Sequence, residues 1–155
     1  MIRTFRLEDQ DYIINSHYEL YNKEFNYDRS FRDFITDRVK GFIERSNNEE
    51  NIWILEIDGE KKGSISLNKV NEDTVQLGLF LVDPNVRGGG YGQKLVQTAI
   101  DFSKELEFKR IILWTNSELA AARSIYKRNG FELIETRVQT LSNKKMTEEK
   151  WVLSL

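Results

Sequence analysis

The hydrophobic pattern changes period several times along the chain, and those changes divide it into elements. Ile2-Arg3-Thr4-Phe5-Arg6 alternates apolar with polar and reads as a short strand. Glu8 and Asp9 then stand as acidic first-turn residues of a helix running to about Tyr21. From about Arg29 to Arg45, Phe31, Phe34, Ile35, Val39, Phe42 and Ile43 recur at helical spacing and share one apolar stripe. The period then becomes two. Residues 52–57 form a strand, Asp58-Gly59 is a hairpin-type turn, and residues 63–67 return as the partner strand. A third strand, 75–82, runs into Asp83-Pro84-Asn85-Val86-Arg87-Gly88-Gly89-Gly90-Tyr91-Gly92. Helical spacing resumes with Leu95, Val96, Ala99, Ile100, Ser103 and Leu106.

The back half alternates again. Residues 110–114 are a continuous apolar strand, 118–128 a helix, and Asn129-Gly130 ends that helix with a residue able to turn left-handed. Residues 131–138 and 151–155 read as two further strands, with Lys144-Lys145 as a solvated loop between them. Strand, helix, helix, three strands, helix, strand, helix and two strands describe an α/β protein with a mixed central sheet and helices on both faces. No repeat, linker or low-complexity tract divides residues 1–155, so one domain is expected.

Composition narrows the chemistry. There are 23 Lys and Arg against 25 Asp and Glu, a net charge of −2, so no global basic field exists to hold a nucleic-acid backbone. The chain has no Cys, which removes disulfides, thiolate metal sites and cysteine nucleophiles together. Its one His, His17, rules out a poly-His metal centre, and no metal is expected. The apolar runs are short, and the opening residues turn acidic where the apolar core of a secretory signal would stand, so a cytoplasmic protein without membrane association is expected.

The glycine segment holds the one Pro and four of the 9 Gly. A strand that stops at Pro84 and resumes as a helix after glycines offers free backbone N–H groups at a positive helix end, suited to a phosphate or pyrophosphate. Glycine lets the anion approach the amides and permits the positive φ such a nest needs. Arg87 adds a charge-assisted donor. A P-loop is excluded, because Gly92 is followed by Gln93 before Lys94-Leu95, leaving neither the Lys register nor the hydroxyl. The dinucleotide fingerprint fails too: its third glycine falls on Gln93 or on Leu95.

With those residues in view, the chain resembles the GNAT N-acetyltransferases, which bind acetyl-coenzyme A (acetyl-CoA). Arg87-Gly88-Gly89-Gly90-Tyr91-Gly92 fits that family's signature at every fixed position, and Leu79-Phe80-Leu81-Val82-Asp83-Pro84 looks like its central strand and exit. Ala122-Arg123-Ser124-Ile125-Tyr126-Lys127-Arg128-Asn129-Gly130-Phe131 is similar to its later motif. His17-Tyr18-Glu19-Leu20-Tyr21, Gly63-Ser64-Ile65 and Trp151-Val152-Leu153 also look like the acetyltransferase half of bacterial proteins that fuse it to a winged-helix regulator; no regulation of transcription is carried over.

The resemblance implies the GNAT acyl-CoA N-acyltransferase fold and acetyl transfer to a primary amine. It places the pyrophosphate on Arg87, Gly88, Gly89, Gly90, Tyr91, Gly92 and Gln93, and the pantetheine arm along the backbone of Phe80, Leu81 and Val82 as if it were another strand. In the family the next strand parts from this one and the cofactor enters the gap. Tyr126 corresponds to the residue that protonates the departing thiolate; its other reading is a helix-core tyrosine, since Leu119, Ala122 and Tyr126 share a face. Asn116 either caps the following helix or bonds the cofactor.

The acceptor side is sparser. The central strand offers no ionisable group over Val75-Gln76-Leu77-Gly78, Gly78 makes room for substrate, and His17 and Glu24 stand as candidate acceptor-site residues. Without Cys, transfer is expected to be direct, with no acyl-enzyme. The resemblance implies a small-molecule or peptide amine as the acceptor. The missing base leaves a non-catalytic acyl-CoA-binding module as the alternative, and a homodimer is left open.

Overall fold

The computed structural model describes residues 1–141 and 144–155. Among them, seven strands form one sheet: β1 (Ile2–Thr4), β2 (Asn51–Ile57), β3 (Glu60–Lys69), β4 (Thr74–Val82), β5 (Arg110–Asn116), β6 (Glu132–Leu141) and β7 (Lys144–Ser154). Their spatial order is β1-β2-β3-β4-β5-β7-β6, and β4 with β5 is the parallel pair. The helices are α1 (Gln10–Phe25), α2 (Arg29–Arg45), α3 (Tyr91–Glu105) and α4 (Ala120–Arg128). None of these helices is long and apolar enough to cross a membrane.

The sheet separates two cores, one on each face. On one face Ile13 of α1 and Phe31, Ile35 and Val39 of α2 pack on Ile52, Ile54, Leu79 and Met146. On the other, Leu95, Val96, Ala99 and Ile100 of α3 and Tyr126 of α4 pack on Trp53, Leu55, Ile65, Leu67 and Ile111. That is why β2 reads as an unbroken apolar run: alternate residues face opposite cores and all four of 52–55 are buried. The β2–β3 hairpin turns through Asp58 (φ 52°) and Gly59 (φ 79°), the two positive values a type I′ turn needs. Asp28 caps α2 by accepting from the Ser30 N–H.

The ends of elements depart from the sequence pattern. A 3-10 turn at Leu7–Asp9 precedes α1, because Asp9 is drawn into the interior rather than left in a solvated first turn. Its carboxylate, 0% exposed, accepts from Arg3 Nη1 (2.9 Å) and Nη2 (3.0 Å) and from the Arg6 N–H (2.7 Å), with Lys61 Nζ at 2.8 Å. Lys144 and Lys145 belong to β7, not to a loop. That strand lies between β5 and β6, and its charged residues find partners: Lys144 with Glu118 (2.9 Å), Glu148 with Arg137 (3.4 Å) and Glu149 with Arg123 (2.7 Å). Two ladders of backbone hydrogen bonds outweigh a polar sequence there.

Candidate functional site

The parallel pair β4–β5 parts after one turn of pairing. Only Thr74, Val75 and Gln76 pair with Arg110, Ile111 and Ile112. Beyond them β4 keeps its other neighbour, with Gly63 opposite Val82, while β5 stays with β7 as far as Asn116 opposite Glu148. Residues 77–82 and 113–116 therefore each present one unpaired edge to the gap between them. A bulge widens it: the β3–β4 register shifts between Ser64 and Ser66, and Leu79 has φ 45°, a left-handed value rare for a branched apolar residue. Ser64 Oγ donates to the Leu79 carbonyl at 2.6 Å and holds the bulge in place.

The gap opens on the glycine segment. Gly88 (φ 88°) and Gly90 (φ 80°) are left-handed, and a Cβ on either would meet nothing within 4 Å. Their glycines are required by backbone conformation, not by protein packing. Gly90 is the N-cap of α3 and no side chain caps that helix end, so its first amides stay available to an anion. Gly92 has the opposite reason to be glycine: a Cβ would lie 2.8 Å from Ile125 Cδ1 and 3.4 Å from Phe80 Cζ, where α3 meets α4 and β4.

Together these elements enclose a groove of about 330 Å³. Tyr21, Glu24 and Phe25 of α1 form one wall, Phe80, Leu81 and Val82 of β4 the floor, Arg87, Tyr91 and Gly92 one end, and residues 118–122 with Ile125 the other wall. Arg87 spans the mouth, its Nε donating to the Val82 carbonyl at 3.3 Å and its Nη1 lying 3.4 Å from Glu24 Oε1. Glu24 is thus tied to the glycine-segment end of the groove. Gln93 turns away from the groove and exchanges two side-chain hydrogen bonds with Asn129, at 2.8 and 2.9 Å, binding α3 to the end of α4.

Tyr126 is 4% exposed and lies among Phe80, Phe131 and Trp151, with ring centroids at 6.0, 5.7 and 6.5 Å. Burial pushes its phenol pKa upward, with Tyr21 adding to the rise. Its hydroxyl makes no hydrogen bond among the described residues, and the groove is lined by its contact Phe80 rather than by Tyr126 itself. Tyr21, which the sequence pattern left as the last residue of a helix, lines the groove and donates its hydroxyl to the Phe80 carbonyl at 3.4 Å. Its one sequence signal is the four-residue spacing from Ile13 through His17 to Tyr21.

Two expected site residues sit elsewhere. Asn116 caps nothing: α4 has Leu119 at its N-cap, and the Asn116 amide donates to the Tyr27 hydroxyl (2.6 Å) and contacts Met146 Sδ (2.7 Å), in the core under α1 and α2. His17 is 1% exposed and lines none of the hollows described here. Its Nδ1 lies 2.8 Å from the Ile13 carbonyl, which makes Nδ1 the protonated nitrogen and leaves Nε2 as an acceptor with no hydrogen-bond partner.

Burial lowers the His17 pKa to about 4, against the smaller opposing pull of backbone at Ile13 and Leu79. The unfolded ring titrates near 6.5, so the unfolded chain binds a proton first. Stability is therefore complete above pH 6.5 and falls as pH drops towards 4. We expect His17→Gln to remove this component, making its loss of stability between pH 7 and pH 4 smaller than wild type's by roughly 3 kcal/mol. Urea unfolding at the two pH values measures it; equal losses would contradict it.

Residues 14–131 match the model of the Acetyltransferase (GNAT) family. The chain is 25% identical over 137 residues to an uncharacterized N-acetyltransferase of Methanocaldococcus jannaschii, covering 84% of this chain and 60% of that protein. It spans about half to three fifths of the length of the curated relatives it matches. Among solved structures, an N-acetyltransferase of Staphylococcus aureus superposes with a TM-score of 0.83 at 18% identity, covering 99% of this chain and 97% of that one. The protein yncA of Salmonella typhimurium, solved with its cofactor acetyl-CoA, gives 0.80 at 18% identity over 100% and 93%. At these identities the structural likeness shows the fold.

Proposed function

Since the chain belongs to the GNAT acetyltransferase family, we propose that it moves an acetyl group from acetyl-CoA to a primary amine by direct attack, with no acyl-enzyme. The observation that carries this reading is the gap between β4 and β5 that ends on the glycine segment. The residues fit the cofactor: a strand edge with unpaired amides suits a pantetheine arm, and an uncapped helix end behind two left-handed glycines suits a pyrophosphate.

In this reading the amides of 88–92 hold the pyrophosphate, with Arg87 as an additional cation released from Glu24, and the backbone of Phe80, Leu81 and Val82 holds the arm. Bound acetyl-CoA supplies a thioester, whose thiol titrates near 8.5 and so leaves readily near neutral pH. A backbone N–H of the bulged segment 79–80, free of β5, polarises the carbonyl; such a donor is worth about 3–4 kcal/mol. No ionisable side chain stands on β4 at 75–78, and His17 is neutral and buried, so the amine loses its proton through water or to a carboxylate of the groove, Glu24 or Glu118. For an alkyl amine that costs about 4–5 kcal/mol at neutral pH, for an α-amine near 8 about 1.

The thiolate's proton comes from a tyrosine at Phe80. We assign it to Tyr126, whose raised pKa keeps it protonated. Tyr126→Phe is expected to lower turnover by up to about 100-fold while changing acetyl-CoA affinity little. Equal loss in both would make Tyr126 a packing residue, and a larger turnover loss in Tyr21→Phe would move the role to Tyr21. Incubation with acetyl-CoA and a panel of amines, read by thiol release, tests the activity. Binding without transfer across the panel would leave a binding module on this fold; neither binding nor transfer would reject the proposal.

A further inference from the structure

A second hollow, of about 280 Å³, lies on the opposite side of β4 from α3, beneath α2, and is lined by Phe34, Arg38, Ser66, Asn68 and Leu79 among others. Three of its polar side chains, those of Arg38, Ser66 and Asn68, have no hydrogen-bond or ion-pair partner among the described residues. Arg38 makes no hydrogen bond or ion pair among the described residues; its close contact is the Phe34 ring, 5.5 Å from the guanidinium carbon. The basic groups around it are satisfied: Arg45 holds Glu50 at 2.8 Å and Lys69 holds Glu49 at 2.9 Å. Asp37, the adjacent position on α2, also lines the hollow, but it is exposed and forms no ion pair with Arg38 among the described residues. The side chains of Ser66, 6% exposed, and Asn68 likewise have no hydrogen-bond partner among the described residues. Burial and the nearby Arg45 pull the Arg38 pKa down, as expected for a cation lacking its counter-ion.

The placement of Arg38 is what ties this hollow to the groove. An ideal Cβ at Gly78 would lie 2.7 Å from Arg38 Nη1 and 3.4 Å from Ser66 Oγ, so the guanidinium rests against the bare backbone of β4. The next residue, Leu79, is the left-handed bulge and lines this hollow; the one after, Phe80, lines the groove. Consecutive strand residues are about 3.3 Å apart. The hollow that holds Arg38 and the groove thus meet at the Leu79 bulge, each lined by one of two neighbouring residues of β4.

We propose that Arg38 receives a carboxylate on the acceptor, and that the acceptor is a small molecule of amino-acid size carrying both a primary amine and a carboxylate. The proposal rests on the acetyl-transfer reading above and names the substrate class for it. Arg presents a planar fork that matches a carboxylate bidentately, Ser66 and Asn68 supply further donors, and Phe34 and Leu79 offer an apolar wall to the rest of the molecule. A volume at the small end of ligand pockets, which run from roughly 300 to 1,000 Å³, suits a single amino acid.

The test is titration calorimetry of wild type, Arg38→Gln, Arg38→Lys and Gly78→Ala with the standard amino acids and with isoamylamine and phenethylamine, the decarboxylated partners of leucine and phenylalanine. Each protein is also titrated with acetyl-CoA and assayed for thiol release. We expect wild type to bind at least one amino acid and neither decarboxylated amine. Arg38→Gln should weaken that binding by about 10- to 100-fold, with the same rise in KM and unchanged acetyl-CoA affinity. Arg38→Lys, which keeps charge but loses the fork, should fall between, and Gly78→Ala, which displaces the guanidinium, should weaken binding with Arg38 still present. Binding or acetylation of the decarboxylated amines as good as of the amino acids, an Arg38→Gln affinity equal to wild type, or no amino acid bound at all would overturn the proposal. Amino-acid binding that persists without acetyl-CoA binding or thiol release would reject the transfer reading instead.

Discussion

The protein carrying Gly88→Ala and Gly90→Val together is expected to lose acetyl-CoA affinity by at least about 100-fold while remaining folded, since two charge-assisted amide bonds at about 1.5–3 kcal/mol each are forfeited. Both glycines are left-handed, and a Cβ on either points into open space, so the substitution clashes with no protein atom. The effect is conformational. A β-branched residue at φ 80° is strained, and the relief is a loop whose amides no longer converge at the start of α3. Calorimetry of acetyl-CoA binding beside urea unfolding separates the two consequences. If the segment were a plain surface loop with a glycine helix cap, affinity would be unaffected, and that result would refute its assignment as the pyrophosphate site.

The second large effect is on stability. Asp9→Ala is expected to destabilise the protein by about 3–5 kcal/mol at pH 7, the range for breaking a buried charge pair by removing one partner. The Asp9 carboxylate gathers β1, the turn before α1 and β3 through Arg3, the Arg6 N–H and Lys61. Its removal leaves Lys61 without this anion and Arg3 with Glu56 alone, at 2.7 Å. Although burial pushes the Asp9 pKa up, the hydrogen bonds from Arg3, Lys61 and the Arg6 amide outweigh it and hold the carboxyl well below the usual range. Its contribution is therefore fully present above the unfolded carboxylate pKa and is lost only in strong acid, well below the window of His17. A loss under about 1 kcal/mol in urea unfolding at pH 7 would contradict the account, as would a wild-type advantage that vanished already at pH 5.

What the sequence disclosed and what it concealed follow from the range of the forces involved. Local signals were legible: the spacing of Phe31, Ile35 and Val39 locates α2 to its observed ends, and the glycines mark a strand-to-helix turn with left-handed backbone. The parting of β4 from β5 was not legible in the residues themselves. Residues 77–82 and Leu113-Trp114 are apolar or glycine whether or not they pair, because the sheet lies between two cores, so only the family resemblance raised a gap there. Leu79 shows no sign of its positive φ, which is imposed by the register shift against β3 and the hydrogen bond from Ser64. His17 sits at the right spacing for the inner face of α1, and that face proved to be core.

The same limit hid Arg38. Position 38 flanks the apolar stripe of α2, where a long basic side chain reads as solvated, and only the tertiary approach of Gly78 shows that the guanidinium is pressed on the strand. On α1 Glu19 is exposed and Glu24 is engaged with Arg87, whereas in the second hollow the half-buried Arg38 has no ion-pair partner among the described residues and Asp37 is exposed.

A structure of the protein crystallised with acetyl-CoA tests the central claim most directly. The account predicts pantetheine density between residues 77–82 and 113–116, with pyrophosphate oxygens within about 2.7–3.2 Å of amides in the 88–92 segment and the acetyl group at the Leu79 bulge facing the Arg38 hollow. Acetyl-CoA bound elsewhere on the molecule, or a gap left unchanged at saturating acetyl-CoA, would contradict it.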